Sequence, residues 1–137
     1  MSALDSFDYA IIRVVPRVER EEFINAGVIL FCRTRNFLGA QTALDRSRLA
    51  ALFPGLDLLE VERYLAFITL ICAGGPDAGP IGQLPLPERF HWLVSPRSTI
   101  IQISPVHTGL CTDPEAALNH LLETMVCLPD NFDHQIR

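Results

Sequence analysis

Two arginines and two histidines stand close together late in the chain: Arg89, His91, Arg97 and His107, interleaved with Ser95, Ser98, Gln102 and Thr108. Guanidinium groups present paired N–H donors that match phosphate or carboxylate oxygens, and imidazole adds a donor or a proton carrier near neutral pH. The chemistry these types suggest is recognition of an anion. Arg89, His91, Arg97, His107 and Ser98 are the candidate ligand-binding residues. Acid–base work by His91 or His107 would need Glu22 or Asp113 alongside, and a Cys111–His107 nucleophilic pair would need the two to converge in space. Spacing shows neither, so no catalytic residue is assigned. His91 and His107 with an acid make an equally weak metal set.

The elements that must position these groups begin with residues 89–111. Residues 90–94 and 99–103 read as two apolar strands around a Ser95-Pro96-Arg97-Ser98 turn, with Pro96 suited to the second turn position. Strand alternation puts His91, Leu93 and Ser95 on one side of that hairpin and Trp92 with Val94 on the other, where Trp92 reads as core. The plainest reading is an ordinary hairpin whose polar residues serve its turn and edges.

Upstream, residues 9–15, 23–32 and 37–43 read as three strands of an antiparallel meander, β-branched and separated by polar segments. Asn25-Ala26-Gly27 breaks the second strand, where a strand glycine signals a bulge or a close backbone approach; a backbone anion nest is the alternative. Arg13 should project from the first strand toward solvent or a charged partner. Asp45 caps a short helix with Leu49, Ala50 and Phe53 inward, and Asp57 caps a longer one over 58–73. That second helix is apolar nearly all round, with Leu58, Val61, Leu65, Ile68 and Cys72 on one stripe and Leu59, Phe67, Leu70 and Ile71 elsewhere. Such a helix is buried between layers or against a partner. Residues 74–88, rich in glycine and proline, read as a surface linker rather than a lid. Asp113-Pro114-Glu115 starts a last helix with Ala117, Leu118, Leu121, Leu122 and Met125 toward the core. The predicted order is β-β-β-α-α-β-β-α: an α+β domain with a mainly antiparallel sheet and three helices packed on one face.

The 137 residues form one domain, with an ordered core over about 8–127 and a polar tail at 129–137. Hydrophobic residues make up 49% and charged residues 20%, which favours a packed core over disorder. A net charge of −5 argues against broad binding to nucleic acid or anionic membrane. The chain contains no lysine, which excludes a Schiff-base lysine and a P-loop lysine. Cys32, Cys72, Cys111 and Cys127 form no CxxC pair and read as separate buried thiols, so no metal and no cofactor are expected. The start lacks a signal-peptide pattern and no apolar run reaches a membrane span, so a cytoplasmic location is expected.

Residues 9–15, 22–28, 37–40 and above all 89–111 resemble a bacterial family catalogued as domain of unknown function 3037. The most specific stretches are Phe90-His91-Trp92-Leu93 and Ser104-Pro105-Val106-His107-Thr108-Gly109. The resemblance implies no activity or cofactor. It does imply a kinase-like protein encoded nearby, hence a candidate partner. The expected function is an accessory or interaction protein, docking on that partner or on a second copy through the sheet face and the 89–111 segment. The alternative is a small binding or hydrolytic domain for a phosphorylated or nucleotide-like anion.

Overall fold

A computed structural model describes residues 3–97 and 99–128. Its spine is β1 (Asp5–Val14), flanked by β2 (Ile24–Cys32), which in turn pairs with β3 (Phe37–Thr42). All pairings are antiparallel. The chain continues through α1 (Arg46–Leu52), α2 (Leu58–Ala73) and α3 (Leu86–Leu93), then β4 (Ile101–Ile103), β5 (His107–Cys111) and α4 (Pro114–Met125). The α+β class and the antiparallel meander hold. The described residues form four helices rather than three, in the order β-β-β-α-α-α-β-β-α.

The sheet is buried on both faces. Ile12, Val14, Ile29 and Phe31 pack with Leu49 of α1, with Val61, Leu65, Ile68 and Ile71 of α2, and with Phe90 and Leu93 of α3. Phe7, Ile11, Val28, Leu30 and Cys32 face the other way, against Leu118 and Leu121 of α4. The expectation of helices on one face is therefore corrected. Strands β1 and β2 are apolar at odd and even positions alike, and an exposed second face would leave that surface in water at about 25 cal/mol per Å².

Gly27 sits where β2 bulges: Ile12 pairs with Gly27 but Arg13 with Asn25. Ala26 is the extra residue, and the side chains facing α1–α3 switch from Ile24 and Ala26 to Ile29 and Phe31 across it. A Cβ on Gly27 would lie 2.7 Å from the Gln41 carbonyl oxygen, so the glycine is required by close approach as well. The three aspartate caps form as expected: Asp45, Asp57 and Asp113 accept from the backbone N–H of Arg48, Glu60 and Glu115. Within these helices Leu49 is buried while Ala50 faces solvent, and Met125 is exposed where Val126 is buried instead.

The largest correction concerns residues 89–111. No hairpin forms; residues 86–93 are helical, and β4 and β5 do not pair with each other. Both pair with β1 and lie end to end along its free edge, β5 on Asp5–Tyr9 and β4 on Ile12–Val14. Residues 74–85 connect α2 to α3 largely over the surface, as expected, whereas 86–88 already belong to α3. Two short 3-10 turns, Pro76–Ala78 and Ile81–Gln83, bury Ala78 and Gly82, and Gln83 bonds back to the Gly75 carbonyl.

Candidate functional site

Of the five residues proposed as an anion site, the two arginines and two histidines do not converge. Arg89 lies on α3 with its guanidinium turned inward: Nε donates to the Leu84 carbonyl at 2.8 Å, and Nη1 to the Ile71 and Cys72 carbonyls at 3.0 Å each. It satisfies the last carbonyls of α2, where orphan acceptors and the negative end of the helix dipole favour a cation. Gly74 ends that helix at φ +73°, and a side chain there would run into Arg89. His91, two residues on, is exposed in a shallow, open dent with Arg33 and Glu88. His107 is exposed on β5, its ring 5.4 Å from Tyr9, which belongs to the α4 side of the sheet. The sheet thus separates His107 from α3. Ser98 lies outside the described residues.

Arg97 is placed differently. Its guanidinium stacks 4.3 Å over the Trp92 ring and donates to the Trp92 and Leu93 carbonyls at 2.7 and 3.1 Å, closing the end of α3. Burial pulls its pKa down from the ordinary arginine value. A guanidinium carries five N–H groups, so these two bonds leave donors to spare.

Arg97 also lines a cleft of about 180 Å³ between α2, α3 and β4, with Tyr64, Phe67, Ile68, Trp92, Leu93, Thr99, Ile101 and Ile103. Trp92 is not core, as the hairpin reading had it; it is half-buried and meets Phe67 edge-on at 6.3 Å. Among the described residues Arg97 is the single charged one in this lining. The larger clefts are more open; that between α1 and the segment before β2 is walled by Arg17, Arg20 and Glu22, whose arginines are already paired with Glu19 and Glu22. Ligand pockets usually occupy roughly 300–1,000 Å³, so the α2–α3–β4 cleft has room for one apolar side chain rather than a cofactor.

Sequence reading did not single out Tyr64, Thr99, Ile101 or Ile103. The available signal was the excess of apolar residues around α2. Leu59, Tyr64, Phe67 and Leu70 remain exposed, at 58%, 43%, 44% and 37%. Arg13, expected to border solvent or a charged partner, is half-buried with its guanidinium 4.2 Å over the Phe23 ring.

The cysteines divide. Cys32, Cys72 and Cys111 are buried and Cys127 is exposed, which corrects the expectation of four buried thiols. Burial pushes the Cys72 thiol up to about 12, against a smaller downward pull from Arg89. Burial also raises Cys111, whose thiol lies beside that of Cys32. Among the described residues no three His, Cys, Asp or Glu side chains cluster as a metal site would require. No described helix is long and apolar enough to cross a membrane.

These features define a small α+β protein with an apolar cleft at one end of its sheet. The chain belongs to the family described as protein of unknown function (DUF3037), whose pattern matches residues 9–126. No curated protein and no solved structure matches it.

Proposed function

We propose that this chain is an interaction module that docks a protein partner on the surface formed by α2, α3 and β4. One observation carries the reading: α2 keeps Leu59, Tyr64, Phe67 and Leu70 exposed, and Tyr64 and Phe67 continue directly into the Trp92 cleft. Exposed apolar surface marks interaction sites on protein domains, and aromatic side chains dominate binding where they are anchored in a pocket. The kinase-like protein implied by the family resemblance is the first partner to examine.

The anion-binding alternative loses its main support. Arg89 turns its Nε and Nη1 donors to backbone carbonyls, and His107 lies on the opposite side of the sheet from α3.

Light scattering after size-exclusion chromatography tests the proposal, with the chain alone and mixed with the kinase-like protein. A complex is expected, weakened by Tyr64→Ser with Phe67→Ser, both solvent-exposed positions whose change should leave the fold intact. Absence of association, or association indifferent to the double variant, would overturn it.

A further inference from the structure

The backbone of β4 shows what kind of segment this surface is built to hold. In an antiparallel ladder, hydrogen-bonded pairs alternate with pairs whose N–H and C=O groups point away from each other. Val15 donates to the Ile100 carbonyl at 2.7 Å and Ser104 donates to the Ile11 carbonyl at 2.9 Å. Those bonds, with the Arg13–Gln102 pair between them, fix the alternation. Ile101 and Ile103, opposite Val14 and Ile12, therefore aim their N–H and C=O groups outward, away from β1. Thr99 Oγ1 caps the Ile101 carbonyl at 2.6 Å. The Ile101 N–H and both polar groups of Ile103 have no hydrogen-bond partner among the described residues. Among the described residues no strand covers this edge, because β4 pairs there with β1 alone.

The side chains of the same two residues line the cleft with Tyr64, Phe67 and Trp92, and Arg97 stands in that lining with no acid beside it. An open ladder edge, a hole for one apolar side chain and a single cation therefore occupy one place.

We propose that the β4 edge takes up an extended peptide segment of the partner as an added strand, with one apolar side chain seated in the cleft and a neighbouring carboxylate on Arg97. This rests on the interaction reading above and specifies its partner as an extended, acid-bearing segment rather than a helix. Main-chain bonds to Ile101 and Ile103 supply part of the affinity, and the cleft with Arg97 supplies the selectivity, as in other strand-addition sites. The charge argument favours an acidic segment: the chain as a whole carries −5, yet this lining presents only a positive group.

The test is selection of a displayed library of random nine-residue peptides on the intact chain. The expected winners alternate apolar or β-branched residues with polar ones and carry Asp or Glu. Their affinity should fall about tenfold or more with Arg97→Gln, the range for losing a charge-assisted hydrogen bond. Because Arg97 also closes α3, Thr99→Glu serves as the second variant; it leaves the Arg97 bonds to α3 in place and adds a repelling charge at an exposed position, while removing the Thr99 bond to the Ile101 carbonyl. Hydrogen exchange of the Ile101 and Ile103 amides should slow at least tenfold on adding a selected peptide. No enrichment, winners with helical spacing, affinity indifferent to both variants, or new protection at Thr108 and Leu110 of β5 would each overturn strand addition. These outcomes differ from failure of the interaction reading, which is judged by whether the chain associates with its protein partner at all.

Discussion

At the scale of single residues, Ser104 explains more than any member of the presumed anion set. It is the one buried polar side chain among the described residues. Pro105 follows it and has no N–H to give to the β1 ladder. Ser104 Oγ accepts from the Ile11 N–H at 2.8 Å and donates to the Pro105 carbonyl at 2.9 Å, which bridges the break between β4 and β5. The pairing shifts there from Ile12–Ile103 to Tyr9–His107, so the edge chain carries one extra residue. Ser104→Ala leaves the Ile11 N–H without a partner in the interior and should cost about 1–3 kcal/mol, measured by urea denaturation. An unchanged midpoint would show that the hydroxyl is dispensable. Cys72 makes a second prediction. Its folded thiol stays protonated to about pH 12, whereas in the unfolded chain it ionises near its ordinary value of 9.0. The unfolded state therefore releases a proton that the folded state keeps, and stability should fall as pH rises above 9 and flatten only near 12. The full slope is about 1.4 kcal/mol per pH unit, and Cys72→Ala should remove that component of the alkaline decline. The Asp5–Arg35 pair at 2.6 Å acts in the acid range instead. The hydrogen bond from Arg35 holds the Asp5 carboxyl below its usual range, so its contribution is lost as pH falls through that lowered value.

At the scale of elements, β2 shows how much one glycine can specify. Gly27→Ala would force a methyl group against the Gln41 carbonyl at 2.7 Å and the Ile12 Cδ1 atom at 2.9 Å. The neighbouring backbone belongs to a paired strand and cannot withdraw cheaply, so a loss of about 1–3 kcal/mol is expected in thermal or urea unfolding. A neutral substitution would show that the sheet yields more easily than its pairing implies. Helix α3 shows the opposite case. Phe90 and Leu93 are buried toward the sheet, and Leu86 packs beside them at helical spacing. Residues 90–94 are a single short, mostly apolar stretch, for which period alone does not separate strand from helix. Pro87 and Glu88 in its first turn are helix-start features that sequence reading passed over. The Trp92-Leu93-Val94 run points the other way, because aromatic and β-branched residues favour strands on average. Packing on β2 and β3, with Arg97 closing the C-terminal end, overrides that preference.

At the scale of the whole molecule, two cores share one sheet. The α1–α3 core contains Ile12 and Ile29, the α4 core contains Ile11, Val28 and Leu30, and these side chains alternate along β1 and β2. Neither core can open without exposing the other face of the same strands. Unfolding should therefore be one transition: Trp92 fluorescence reports the α1–α3 side, far-UV circular dichroism reports the whole, and their midpoints should coincide. Separate midpoints would show that α4 and β5 form an independently stable unit. Removing α4's hold through Leu118→Ala should cost about 2–5 kcal/mol and lower both signals together.

Local rules were sufficient for much of the fold. The first three strands, the bulge at Gly27, the three aspartate caps and the buried stripe of Val61, Leu65, Ile68 and Cys72 follow from periodicity, backbone sterics and capping, each acting within a few residues. Tertiary structure decided what depends on distant partners. It placed α4 opposite the other helices, laid β4 and β5 end to end on β1, and spent Arg89 on the α2 carbonyls. It also assembled the Trp92 cleft from α2, α3 and β4. Arginine and histidine at close spacing express only a capacity to bind. Which groups they meet is set by the sheet that runs between them, and residues 89–111 span both its faces.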